Sequence, residues 1–133
     1  MPDDRWTALA RHRLEKAGKC LVAAIHAIQN ELYDTAVNRS YYCIFHAVRA
    51  VLALDGYDSQ KHSGIISIFR QNYVKTGIFP TSLSDIIGNS FVARNNSDYD
   101  DFFFMSKDEA SEQTENAKIF LEAITSYIGM RLS

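Results

Sequence analysis

Leu14, Ala17, Leu21, Ala24 and Ile28 recur at three- and four-residue spacing. An α-helix turns ~100° per residue, so this spacing gathers them on one face and predicts a long amphipathic helix over about residues 4–30. After a polar break at 30–34, residues 35–54 are apolar nearly all round, with Ala36, Val37, Tyr41, Ile44, Phe45, Val48, Val51 and Leu52 covering more than one face. Such a helix belongs at the centre of a bundle.

Asp55-Gly56 ends that helix, because glycine accepts the left-handed backbone of a helix C-terminus. Residues 57–61 form a polar connection, and a third helix over about 62–75 buries Ile65, Ile66, Phe69 and Tyr73. Thr76-Gly77 and Pro80 punctuate the chain. Ser82 with Asp85 has the form of a capping box opening a fourth helix that runs to about 96. Ser106 with Glu109 repeats the form and opens a fifth, with Ala117, Phe120, Leu121, Ile124, Tyr127 and Ile128 as its buried stripe. With no alternating strand pattern and no internal repeat, the expected class is all-α: a five-helix up-and-down bundle, a four-helix core plus one additional or shorter helix.

The 133 residues, 47% of them hydrophobic, suit one domain over 1–133 with one core. A formal net charge of -2 argues against a globally basic surface, so any nucleic-acid binding must be local. The charge is uneven. Arg5, Arg11, Arg13, Lys16 and Lys19 make the first helix basic, while Asp98, Asp100, Asp101, Asp108, Glu109, Glu112 and Glu115 make a late stretch acidic, and the two zones are able to attract each other. Cys20 and Cys43 show no metal-ligand spacing and suit reduced core positions. Residues 1–6 carry Asp3 and Asp4 and no apolar leader, and no run reaches the ~18 apolar residues of a membrane span, so a cytoplasmic protein without membrane attachment is expected.

Arg94 is the sharpest single feature, lying ~20° from the direction of Leu83 in a stripe with Ile86, Ile87 and Phe91. A guanidinium in such a stripe needs specific partners, because it keeps its charge when buried. One candidate is an internal acid, either Asp98, four residues on, or an acid of another helix. The other is a phosphate in a cleft or subunit interface, with Asn95 or Asn96 supplying directional hydrogen bonds.

The run Ala36-Val37-Asn38-Arg39-Ser40-Tyr41-Tyr42-Cys43-Ile44-Phe45-His46 resembles the second-helix signature of prokaryotic HEPN proteins. Gly56, Lys61-His62-Ser63-Gly64, Phe69, Phe79 and the run Arg94 to Phe102 resemble the same branch in order and spacing. The similarity covers roughly residues 10–130. The resemblance implies a bundle that often forms a homodimer, with the arginine motifs of two subunits facing across a cleft. Several members of that family are metal-independent endoribonucleases and toxins, and many are encoded beside a small nucleotidyltransferase. The active branch has a polar residue after the arginine and a histidine four to six residues beyond it. Arg94 and Asn95 match the first half, but Tyr99, Asp100 and Asp101 occupy the histidine positions.

RNA cleavage by its own 2′-hydroxyl needs proton transfer near neutral pH, which is histidine's strength. A phenol holds its proton there and a carboxylate has lost its own, so Tyr99 or Asp98 replaces the histidine only in strongly altered surroundings. His62 is the other substitute, with Lys61 beside it to contact phosphate; the plain alternative places both at a helix start on the surface. Tyr41, Tyr42, Phe45 and His46 suit core packing better than base stacking. No metal and no cofactor are expected, since the di-iron Glu-x-x-His pairs, HExxH, the P-loop, GxGxxG and G-x-S-x-G are all absent. Phe102-Phe103-Phe104-Met105 must cover the bundle's end or form an interface.

Three functions follow. The first is a module binding RNA or a nucleotide, with a degenerate ribonuclease motif and a nucleotidyltransferase partner in a toxin–antitoxin-like system. The second is a metal-independent endoribonuclease using Arg94 with Tyr99, Asp98 or His62. The third is a structural adaptor in which Arg94 is an internal ion pair.

Overall fold

The computed structural model describes residues 4–133, for Asp4 the backbone alone, so Met1 to Asp3, part of the stretch read for a leader, lie outside the described residues. Its elements are α1 (Asp4–Gln29), α2 (Tyr33–Leu54), α3 (His62–Phe69) running on into a π-helical turn (Arg70–Val74), α4 (Thr81–Tyr99) and α5 (Lys107–Leu132), with no strand among the described residues. The all-α, five-helix reading therefore holds.

Helix α1 ends in two reciprocal bonds: Glu31 N donates to Ile28 O at 3.1 Å and Leu32 N to Ala27 O at 2.8 Å. This closure needs a left-handed residue at position 31, and Glu31 supplies it at φ 61°. Helix α2 ends in the same way with Gly56 at φ 72°, the glycine that its sequence calls for. The two tight ends fold α1 back along α2, which packs in turn against α3, α4 and α5. Its central place explains why Val37, Tyr41, Ile44, Val48, Val51 and Leu52 are all buried.

The core closes around Phe69, fully enclosed and packed by ring centroids against Tyr73 at 5.8 Å, Phe79 at 5.5 Å and Phe120 at 5.7 Å. Tyr73 donates to Asp55, which also takes two bonds from Arg131, so the C-terminus of α2 is tied to the end of α5. Cys20 and Cys43 are free and buried. No helix among the described residues is long and apolar enough to cross a membrane.

Four local expectations need correction. Ser82 and Asp85 do not cap α4: the helix begins at Thr81 after Pro80, without a side-chain cap, because extended Pro80 already sets the helix entry. Ser106 does cap α5, its oxygen accepting from Glu109 N at 3.1 Å. Helix α4 runs on past 96 to Tyr99, carrying Asp98 inside it. The third helix is α-helical only to Phe69, and Lys75 N then bonds back to Arg70 O at 2.9 Å in the wider turn. Phe91 lies half-exposed, outside the buried stripe of Leu83 and Ile87.

The Phe-rich connection divides. Met105 is buried and Phe103 packs with it, but Phe102 is 98% and Phe104 82% exposed. The basic helix and the acidic stretch do not join through Arg13 or Lys19, whose acids are Asp58 and Glu15.

Candidate functional site

Arg94 stands on the penultimate turn of α4, where that helix meets α2, with 14% of its side chain exposed. Its Nε donates to Asp98 Oδ2 at 3.2 Å and its Nη2 to the Tyr42 hydroxyl at 3.2 Å. The guanidinium carbon lies 5.0 Å from the Tyr41 ring centroid, 5.5 Å from Tyr42 and 5.7 Å from Tyr99. Tyrosine faces are electron-rich, so three of them hold the cation while only one acid partly offsets its charge. The donors on Nη1 make no hydrogen bond among the described residues.

Asp98 also accepts from Asn38 Nδ2 at 3.2 Å. Asn38 Oδ1 in turn accepts from Arg39 Nε at 3.0 Å and Nη2 at 2.7 Å, and Arg39 lies 5.2 Å from the Tyr42 ring. One network thus links Arg39, Asn38, Asp98, Arg94 and Tyr42 across α2 and α4.

His62, the first residue of α3, is stacked on Phe45 at 4.0 Å between centroids, and its Nδ1 lies 2.9 Å from the Tyr41 hydroxyl. Burial pushes the Tyr41 phenol up to about 12, so it keeps its proton. With the phenol donating, the imidazole carries its own proton on Nε2. Burial, then the charges of Arg94 and Arg49, hold His62 below the ordinary histidine range, which leaves it neutral at pH 7. Arg94 and His62 therefore meet at the same tyrosine, although they come from different helices.

The remaining predicted residues are placed as follows. Tyr99 is 72% exposed at the end of α4. Lys61 is exposed immediately before α3. Asn95 is half-buried, with no side-chain hydrogen bond among the described residues. Asn96 faces away from Arg94, into a shallow groove with Asn89, Val92 and Glu109. Among the described residues, no group of three or more His, Cys, Asp or Glu is placed to hold a metal ion.

The apolar pattern of α2 points Tyr41 and Tyr42 mainly to the core and assigns Asn38 and Arg39 no role. Tyr41 is buried, but Tyr42 is only partly so. The available signal was the spacing of Arg39, Tyr42, His46 and Arg49, which falls on one face of α2.

His46 lies one turn along α2 from Tyr42, the ring centroids 6.1 Å apart. Burial, followed by the charges of Lys16, Arg49, Arg39 and Arg13, pushes its pKa down to about 4 from 6.5. Between these values the unfolded chain binds more protons than the folded one, so stability falls as pH drops from 6.5 towards 4. His62 acts in the same direction. His46→Gln is expected to flatten this limb of the thermal-midpoint curve; an unchanged limb would place the acid sensitivity elsewhere.

A family model described as HEPN domain matches residues 10–127. The chain is 33% identical over 115 residues to a protein of Methanocaldococcus jannaschii named as a candidate toxin, a match covering 86% of this chain and 78% of that one. It is 33% identical over 113 residues to a UPF0332 protein of Thermotoga maritima, covering 85% and 86%. A UPF0332 protein of Archaeoglobus fulgidus is 31% identical over 110 residues, covering 83% and 87%.

Proposed function

The chain belongs to the HEPN domain family, and from that premise we propose that it is a toxin-like module that binds RNA or a nucleotide through Arg94. The carrying observation is the guanidinium at the end of α4: seated on tyrosine rings, paired with one acid, and retaining Nη1 donors without a hydrogen-bond partner among the described residues. A phosphate oxygen fits those donors, since guanidinium geometry suits two-point recognition of phosphate. Asn95 and Tyr99 lie on the same stretch of α4 and supply contacts to a sugar or base; His62 reaches Tyr41 from the start of α3, and exposed Lys61 directly precedes it. Exposed Phe102 and Phe104 follow directly in the chain and suit a second copy closing over the site, and a small nucleotidyltransferase is the expected partner in the system.

A second reading is a metal-independent endoribonuclease, favoured by the meeting of His62 and Arg94 at Tyr41. In that reaction the RNA 2′-hydroxyl loses its proton and attacks phosphorus. The bond to the 5′ oxygen breaks, that oxygen takes a proton from solvent water, and a 2′,3′-cyclic phosphate remains. The basic nitrogen of neutral His62 is Nδ1, so the proton passes through Tyr41, whose hydroxyl gives its own proton to Nδ1 as it takes that of the 2′-hydroxyl, and Arg94 stabilises the crowded phosphate.

The deciding experiment incubates labelled oligouridylate with wild type, Arg94→Lys and His62→Asn in chelator, following both binding and cleavage. Binding without cleavage, lost in Arg94→Lys, supports the binding module. Cleavage abolished by His62→Asn with binding retained supports the nuclease. Absence of binding to oligouridylate and to AMP by the wild type would sink both, leaving a structural adaptor with an internal Arg94–Asp98 pair.

A further inference from the structure

We propose that the face shared by α1 and α2 beside Tyr42 is a second phosphate subsite, in which Lys16, Arg39 and Arg49 hold the backbone of a single-stranded RNA whose neighbouring phosphate lies at Arg94. This deepens the binding function proposed above and rests on it for the Arg94 end of the path.

At ~100° per residue, Arg39, Tyr42, His46 and Arg49 fall within an ~80° stripe of α2, and Arg13, Lys16 and Cys20 within an ~60° stripe of α1. The stripes face each other. Arg39 Nη1 lies 4.0 Å from Cys20 Sγ, and Arg13 Nη1 donates to Arg49 O at 3.1 Å. His46 sits among all four cations and feels each of them.

The positive charge there is poorly matched. Asp58 serves both Arg13, at 3.8 Å, and Arg49, at 3.3 Å. Lys16 and Arg39 have no acid within 4 Å among the described residues; Arg39 rests on the neutral Asn38 amide and the Tyr42 ring. The Arg49 Nε is buried without a hydrogen-bond partner among the described residues. Four cations against one carboxylate stand out in a chain of net charge -2, and like charges held together favour an anion between them. Arg13 is buried and adds to the field from beneath, while Lys16 is exposed and Arg39 and Arg49 are partly so.

Tyr42 joins this patch to the Arg94 site, since both Arg39 and Arg94 lie on its ring. Cations interleaved with a partly exposed aromatic ring are the pattern that tracks a single strand, phosphate by phosphate. From Arg39 to Arg49 the track runs ~15 Å along α2, which is too long for one mononucleotide phosphate. The chemistry therefore selects a polynucleotide.

The test measures binding of a short oligouridylate and of AMP over a salt series, using wild type, the Lys16→Gln/Arg39→Gln double variant and Arg94→Lys. Each phosphate contact on a single strand contributes ~0.7 to the slope of log affinity against log salt, so the double variant should lose ~1.4 for oligouridylate. Lys16 stands outside the hydrogen-bond network of Arg94, so the AMP affinity of Lys16→Glu should stay at the wild-type value. Lys16 is exposed, so Lys16→Glu alone keeps the fold and should still lower the slope. Unchanged slope and affinity for oligouridylate in the double variant and in Lys16→Glu would overturn the subsite, even where Arg94→Lys abolishes binding. Conversely, a flattened slope with Arg94→Lys binding normally would leave the subsite standing and remove Arg94 from the function.

Discussion

Arg94→Lys is expected to weaken RNA binding about tenfold or more while leaving the thermal midpoint within a few degrees of wild type, a loss of ~1.4 kcal/mol or more in binding. Lysine keeps the positive charge and much of the stem, so attraction to Asp98 and to the tyrosine faces largely survives. The planar fork does not survive. Lysine presents a point charge that cannot satisfy Asp98, the Tyr42 hydroxyl and a phosphate with fixed geometry at once. Arg94→Ala would be a poorer probe, since it strips the cation from Tyr41 and Tyr42 and leaves Asp98 held only by Asn38. Filter binding of labelled oligouridylate, paired with thermal circular dichroism, checks the prediction. Equal affinities for wild type and Arg94→Lys would remove the guanidinium from the site.

Phe69→Ala should be the most damaging of the core truncations. The ring is fully enclosed and packs on Tyr73, Phe79 and Phe120, which come from three different segments, so the space it vacates cannot close by moving one side chain. Truncations of buried phenylalanine cost about 3–5 kcal/mol, against total stabilities of about 5–15 kcal/mol. A fall in the thermal midpoint of more than ~10 °C is expected. Phe69→Leu, which keeps most of the apolar volume, should lose far less. A loss below ~1 kcal/mol for the alanine variant would contradict the central position of this ring.

Helix existence was legible along the whole chain, because apolar periodicity is written by every residue of a helix. Its boundaries were less so. Glu31 closes α1 in a left-handed conformation that its residue type does not announce, whereas Gly56 announces the same closure plainly. At the start of α4 the Ser82/Asp85 spacing imitates a capping box, yet Pro80 already directs the chain into the helix two residues earlier. The wider turn at 70–74 left no pattern of its own.

Within the candidate site, Arg94 and Asp98 could be paired from their four-residue separation, since the partners share one helix face. The Tyr41–His62 and Asn38–Asp98 contacts join residues 21 and 60 positions apart, and no local spacing encodes them. The basic α1 residues were visible as a group, but only packing shows that Arg13 and Lys16 converge with Arg39 and Arg49 upon His46.

Local sequence alone thus determined the all-helical class, the central place of α2 and the arginine set near the end of α4, because each depends on periodicity or on the cost of burying charge. Tertiary structure decided which rings receive that arginine, that His62 reaches the same tyrosine, and that four cations from two helices share one face. Those outcomes depend on how helices are docked and rotated against one another, which is settled by the fit of whole surfaces in three dimensions and not by any single stretch of chain.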